Sequence, residues 1–230
     1  MRKLYYVPII HSPEEAGSFK ELLLEKEKEF RGAQLAVFLN EIDKFWQEVV
    51  RKIKNLNLDY SRLFIYQDSH PVETTIPEEF KQLVQQKLGA KLKAKSKEEI
   101  AQKLREVGVP FYKIIARLVE KGAILQGTEN MELICREWQT IDELIELAKK
   151  EKEILKMNYP QRAKKQIQLD NKVLEIHERR AQILKNRDEF IAWRINETLP
   201  QNRVGVLFIG RLHQVDRELQ KFPDIRVIYL

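Results

Sequence analysis

The chain has few of the residues that would place it in several common protein classes. Its only cysteine, Cys135, excludes an internal disulfide and any metal site built from several cysteines. Its longest apolar runs, such as residues 204–210, are far shorter than the roughly 20 residues that cross a bilayer. The N-terminus lacks the apolar region and small-residue cleavage site of a secretory signal. These absences predict a cytoplasmic protein with no membrane partner.

Motifs for nucleotide binding and for serine nucleophiles are also missing. The eight glycines are scattered, and no stretch matches G-x-G-x-x-G, a Walker loop or the nucleophile elbow G-x-S-x-G. Cys135 lies in a stretch with helical spacing, which is more typical of a buried structural thiol than of a nucleophile. The histidines and carboxylates remain as the candidates for chemistry.

The composition is that of a folded protein with a strongly charged surface. Of the 230 residues, 43% are hydrophobic and 33% are charged, and the net charge of +6 is a mild excess. Basic residues are concentrated between Lys81 and Arg105, where eight of them accompany two acids. Because no aromatic residues interleave them, we interpret this segment as a solvated helix end and loop, with a nucleic-acid surface as the alternative.

Five near-continuous apolar runs predict strands that are covered on both faces, as in parallel sheets. The runs are Lys3–Ile10, Arg62–Tyr66, Ala123–Gln126, Val204–Ile209 and Ile225–Leu230. Pro8 indicates that the first strand lies at an edge or carries a bulge. Helical periodicity fills the intervening segments, so we predict an α/β fold with a mostly parallel sheet of about five strands flanked by helices. We expect one domain over 1–230, with a long αα-hairpin inserted at roughly 129–199.

The second helix of this hairpin carries a regular stripe that we predict to be buried. The stripe contains Leu174, His177, Ala181, Leu184, Asp188, Ile191 and Ile195. A buried carboxylate is costly unless it is paired or binds a ligand. Asp188, with Arg187 beside it, therefore indicates either a structural ion pair or part of a site.

Polar residues follow four of the predicted strands, and parallel strands would bring these turns to one edge, where α/β proteins bind ligands. The residues are His11 after the first strand, Asp68 and His70 after the second, Glu129 after the third and His213 after the fourth. Each one taken singly is also typical of a turn or a helix cap. Because three of the four histidines take the same topological position, we predict a polar site at this edge.

Imidazole and carboxylate ligands suit zinc, manganese or iron better than calcium. We predict His11, Asp68 and His213 as ligands of such a divalent metal, which would make hydroxide available near neutral pH. Glu129 and His70, with Arg187 and Asp188, are the predicted catalytic or substrate-positioning residues. A small-molecule or peptide substrate is expected.

The last third of the chain resembles a known superfamily. Asn186-Arg187-Asp188 on a long helix precedes a strand and then Gly210-Arg-Leu-His213. This order is similar to that of the TraB, Tiki, erythromycin-esterase-like and ChaN-like proteins, in which an arginine-bearing helix leads into a glycine-any-any-histidine motif. His11 would match the first histidine of that family, and Asp68 or Glu129 its acidic residues. The resemblance implies a site at the strand ends, in a family with metal-dependent hydrolytic members and haem-binding ones.

Three functions therefore remain open. The first is a metal-dependent hydrolase of peptide, ester or related bonds. The second is a non-catalytic protein that binds a ligand in the same cleft, for example haem through His11 or His213. The third is a nucleic-acid-associated factor that uses Lys81–Arg105 and the basic long helix, whose binding would weaken steeply with salt. The long helices are also candidates for a homodimer interface.

Overall fold

A computed structural model describes residues 1–9, 32–72, 78–83, 99, 102, 105–106 and 110–230, with only the backbone described for 32–39. The strands are β1 (Arg2–Ile9), β2 (Leu63–Gln67), β3 (Ile124–Gln126), β4 (Val204–Gly210) and β5 (Ile225–Tyr229). The helices are α1 (Gly32–Asn55), α2 (Pro110–Glu120), α3 (Met131–Ile154), α4 (Gln161–Thr198) and α5 (Val215–Leu219). Short 3-10 turns cover Tyr60–Arg62 and Glu78–Phe80.

The five strands form one parallel sheet in the order β3-β2-β4-β1-β5. The α/β fold predicted from the apolar runs is thereby confirmed. Since every strand runs the same way, the carboxyl ends of β2, β3 and β4 lie at one edge of the sheet, where the strand pairings match Gln67 with Phe208 and Tyr66 with Gln126. This edge carries the candidate site.

Helices cover both faces of the sheet, because alternate residues of each strand bury their side chains on opposite faces. On one face, Ile65 and Phe208 pack with Trp46 of α1 and Phe111 of α2. On the other face, Leu207 packs with residues of α4 and α5. The sheet is therefore the middle layer of three, and α4 approaches the site from the second face.

Helices α3 and α4 form the αα-hairpin that the sequence predicts. Their interface is apolar and contains Leu147, Ile154, Leu169 and Ile176. The stripe that we predicted to be buried is wrong in its outer half, because Leu174 is 59% exposed and His177 and Ala181 are exposed as well. Ile176 and Ile183 of the adjacent stripe are buried in their place. Asp188 and Ile191, in the inner half, are buried as predicted.

Pro8 lies in an interior strand whose pairing with β4 continues without a bulge through Ile9, so both alternatives predicted for it, a sheet edge and a bulge, are wrong. β1 pairs with β4 on one side and with β5 on the other. The carbonyl of Tyr6 accepts a hydrogen bond from the Leu230 N–H (3.1 Å), which shows that the polar groups of Tyr6 face β5. Pro8 is two residues further and faces the same way, but the β5 pairing extends only to Tyr6. The N–H that proline lacks would therefore have no strand partner.

The described helices contain no apolar stretch of the length needed to span a membrane. Most of the basic segment Lys81–Arg105 lies outside the described residues, as does His11. The prediction of one domain over 1–230 stays a prediction.

Candidate metal centre

The turns after β2, β3 and β4 are tied to one another by their backbones. The Asp68 N–H donates to the Phe208 carbonyl of β4 (2.8 Å). The His70 carbonyl accepts from the N–H groups of Thr128 (2.8 Å) and Glu129 (3.0 Å), which follow β3. The His213 N–H donates to the Gly210 carbonyl (3.0 Å) and so closes the turn after β4. These bonds fix the positions from which the polar side chains enter the site.

Two backbone features allow the β2 and β3 turns to approach closely. At Gly127 a Cβ atom would lie 2.6 Å from the Cα of Val72, so only glycine fits without a shift of the backbone. Ser69 adopts a left-handed conformation with φ 59°, which is unusual for a residue other than glycine. That conformation directs the Ser69 N–H to Oε1 of Glu129 (2.8 Å). Such local strain is often found where a site needs a defined geometry.

Arg187 of α4 is the centre of the charged network and is 4% exposed. Its Nε donates to Oε2 of Glu129 (2.6 Å), and its Nη2 donates to Oδ1 of Asp68 (2.9 Å) and to Oε1 of Glu129. Its Nη1 donates to Glu137 of α3. Glu137 also accepts from Nε and Nη2 of Arg180 (3.1 and 3.0 Å). One guanidinium thus joins the ends of two strands to the hairpin.

Asp188, the next residue of α4, holds the histidine that follows β4. Its Oδ1 lies 2.5 Å from Nδ1 of His213, and its Oδ2 accepts from the Gln214 N–H (2.8 Å). A carboxylate on one ring nitrogen fixes the tautomer of a histidine and orients its other nitrogen. Nε2 of His213 is therefore turned toward Asp68, whose Oδ2 lies 3.7 Å away. That separation is too long for a hydrogen bond.

Asp68, Glu129 and His213 form a group in which one ligand atom from each lies within 4.8 Å of the others. We call these three residues the ligand group. Asp68 Oδ2 accepts the Gly210 N–H (3.0 Å), and Glu129 Oε2 accepts the Arg187 Nε–H. A carboxylate oxygen has room for two hydrogen bonds, so each of these atoms keeps one acceptor position. With the His213 Nε2, the group offers three donor atoms suited to a transition metal.

The charges around this group do not balance among the described residues. The carboxylates of Asp68, Glu129, Glu137 and Asp188 are all largely buried, as are the cations that contact them. With all four carboxylates ionised, Arg187 and Arg180 leave two negative charges in excess when His213 is neutral, and one when it is protonated. Excess buried charge is costly unless it is compensated, and a bound cation would compensate it.

The environment shifts the pKa values of the two carboxylates of the ligand group in opposite directions. Burial alone raises the pKa of Asp68, but Arg187 and His213 outweigh it and hold that pKa well below its usual range. Burial raises the pKa of Glu129, and Arg187 opposes that rise without cancelling it. Burial lowers the pKa of His213, but the hydrogen bond to Asp188 and the charge of Asp68 overcome this and raise it. Asp68 is the more firmly ionised of the two acids.

The structure brings together most of the residues that the sequence singled out. Asp68, Glu129, Arg187, Asp188 and His213 lie in one network, as the bonds above show. His70 contributes its backbone carbonyl, and no hydrogen bond joins its ring to another described residue. Burial lowers the pKa of His70 and so favours the neutral form of its ring. His11 lies outside the described residues, and its role as a ligand stays a prediction.

Glu137 and Arg180 belong to the network but were not predicted from the sequence. The available signal was a glutamate within an apolar helical face, since Glu137 lies three residues after the buried Ile134. Arg180 lies seven residues before Arg187 and so shares its face of α4. Only the pairing of α3 with α4 shows that these residues meet.

Glu129 does not have the role of a helix-capping acid. The N-cap of α3 is Asn130, whose Oδ1 accepts the Leu133 N–H (3.1 Å). Glu129 precedes that cap and is fully buried. Thr128 joins β2 to β3, since its hydroxyl accepts the Gln67 N–H (3.1 Å) and donates to the Gln126 carbonyl (3.0 Å).

Comparisons of the chain with protein-family models, with curated proteins and with solved structures gave no match.

Proposed function

We propose that the protein is a metal-dependent hydrolase whose site is the ligand group at the carboxyl edge of the sheet. One observation carries this proposal. Asp68, Glu129 and His213 lie together in a buried network with excess negative charge, and each keeps one open acceptor position. Imidazole and carboxylate donors fit zinc, manganese or iron(II).

Asp68 and His213 are the residues that would hold the metal. Asp68 stays ionised because Arg187 and His213 lower its pKa, and an ionised carboxylate is the form that binds a cation. His213 presents Nε2 because Asp188 occupies Nδ1. His11, after β1, is proposed as a further ligand because the order of the strands places the end of β1 beside that of β4. A divalent metal at this position would polarise a substrate carbonyl and lower the pKa of water toward neutrality.

Glu129 is the proposed proton acceptor. Burial raises its pKa above that of an ordinary glutamate, which brings it nearer to the pH at which a general base works best. Asp68 and Glu129 are neighbouring carboxylates whose environments shift their pKa values in opposite directions, a pattern that separates a charged ligand from a proton carrier. Oε2 of Glu129 keeps one open position for a proton from water.

Arg187 is a positioning residue in this scheme. All three of its nitrogens donate to carboxylates, and four of its five N–H groups are engaged in this way, so its role is to hold Asp68 and Glu129 in place. The carboxylates around Nε2 of His213 also favour a small cation over haem, because haem needs a broad, mostly apolar pocket. The hydrolase proposal agrees with the resemblance to the TraB and Tiki proteins.

Metal binding is the first test. Protein stripped with a chelator is dialysed against zinc, manganese or iron(II), and the retained metal is measured by mass spectrometry. We expect about one equivalent in the parent and little in Asp68→Asn and His213→Gln. Glu143→Gln, which removes an exposed carboxylate from α3, is the matched control and should retain metal. Equal retention in all four proteins, or none in the parent, contradicts the proposal.

Hydrolysis is the second test. The metal-loaded parent is assayed against chromogenic esters and fluorogenic peptides, with chelator and metal re-addition as controls. We expect Glu129→Gln to retain metal, because Asp68 and His213 are unchanged, but to lose turnover, because an amide does not accept a proton from water. Metal binding without turnover of any ester or peptide would contradict the hydrolase proposal and support metal binding alone.

A further inference from the structure

The end of the α3–α4 hairpin extends far from the candidate metal centre. We call residues 149–167 the hairpin tip. Asp188 lies 27 residues along α4 from Gln161, its first residue. At 1.5 Å per residue, this places the tip about 40 Å along the helix from the site. At this distance the hairpin tip does not contact the candidate metal centre, so any role of the tip is separate from that site.

The hairpin tip exposes apolar side chains that the fold does not bury. Leu155 is 59% exposed, Tyr159 is 77% exposed and Ile167 is 63% exposed. The apolar contacts between the two helices are made by other residues, among them Ile154 and Leu169. Three of the eight large hydrophobic residues that are well exposed in the described chain therefore lie within 13 residues. Clustered exposed apolar side chains with a polar surround indicate an interaction surface.

The same segment is strongly basic. The hairpin tip contains seven lysines and arginines against two glutamates, whereas the whole chain has only a mild excess. Four of these cations are exposed and form no ion pair with a described residue: Lys156, Arg162, Lys164 and Lys165. Cations next to exposed leucine and tyrosine are the composition of peripheral membrane anchors.

We propose that the hairpin tip docks on the surface of an anionic lipid bilayer. Leu155 and Tyr159 enter the interface, where the tyrosine ring is apolar and its hydroxyl stays among the headgroups. The flanking lysines and arginines attract the anionic headgroups. Nucleic acid fits less well, because the aliphatic Leu155 and Ile167 add nothing to phosphate contacts and a single aromatic gives no series of stacking positions.

Docking of this kind does not require a membrane-spanning segment. The expectation of no membrane partner came from the lack of such a segment, which bears on crossing the bilayer and not on contact with its surface. The proposal also stands apart from the hydrolase proposal, since its residues and its measurement do not involve the metal.

Vesicle sedimentation with the full chain tests the proposal. One set of vesicles contains phosphatidylcholine alone, and the other contains equal parts of phosphatidylcholine and phosphatidylglycerol. We expect binding to the anionic set only, weakening as salt is raised. K164E/K165E should reduce partitioning at least about 25-fold, because each basic residue near an anionic surface is worth about a fivefold change. L155S/Y159S should also reduce it.

Matched controls test whether binding depends on the hairpin tip or only on the net charge of the chain. K113E/R117E makes the same charge change at exposed positions of α2, and Leu212→Ser removes a leucine that is 68% exposed outside the hairpin. We expect both to bind like the parent. The proposal is overturned if anionic vesicles do not bind, if the α2 variant loses binding as fully as the tip variant, or if duplex DNA binds while vesicles do not.

Discussion

Replacing Arg187 with methionine should destabilise the protein severely. The change keeps a long side chain but removes the guanidinium that compensates Asp68, Glu129 and Glu137, all of which are nearly buried. Removing one partner of a buried ion pair costs about 3–5 kcal/mol, and three carboxylates share this partner, so we expect the upper end of that range. For a chain of this length, the loss corresponds to a fall in Tm of about 10 °C or more.

Urea unfolding followed by circular dichroism, in the presence of chelator, measures this loss. Arg179→Met is the matched control, because Arg179 is a surface arginine of the same helix and forms one exposed ion pair with Glu143. That change should cost less than about 1 kcal/mol. Arg187→Lys should fall between the two, since it keeps the charge without the planar fork. If Arg187→Met and Arg179→Met differ by less than about 1 kcal/mol, the reasoning on the buried network is refuted.

Three further predictions concern single groups. Asp188→Asn should weaken metal binding about 10- to 100-fold, measured by the dialysis above, because it changes the partner that orients His213; unchanged affinity would count against this role. The raised pKa of His213 contributes stability that is complete below its unfolded pKa, about 6.5, and is lost as pH rises through its folded pKa. The free energy of unfolding of the metal-free parent should therefore exceed that of His213→Gln at neutral pH, and this difference should shrink as the pH becomes alkaline. A difference that does not change with pH would contradict this. Burial raises the pKa of Cys135 to about 11, so a thiol reagent at mildly alkaline pH should label the native protein slowly and the urea-unfolded protein quickly; rapid native labelling would show an accessible thiolate.

The strands and the location of the site could be predicted because both depend on local patterns. Apolar runs mark buried strands, and parallel strands bring their carboxyl ends together whatever the details of packing. Asp68 and His213 could therefore be assigned to one edge although they are 145 residues apart in the numbering. The partner of each side chain could not be read in this way, since hydrogen bonds depend on how the helices are rotated.

The errors on α4 have a physical cause of this kind. The helix leaves the sheet and continues into the hairpin, so its buried face is set by the sheet at Ile191 and Ile195 and by α3 at Leu169 and Ile176. A single straight stripe through the whole helix cannot satisfy both neighbours. The sequence offers two adjacent apolar stripes, and Leu174 belongs to the one that faces away from α3.

The position of α4 has a direct consequence for the site. Successive residues of a helix point about 100° apart, so Arg187 and Asp188 reach in different directions from the same turn. Arg187 holds the turns after β2 and β3, and Asp188 holds His213 in the turn after β4. A rotation of α4 would therefore misplace all three members of the ligand group at once. The packing of α3 against α4, which also places Glu137 on Arg187, is for this reason part of what builds the site.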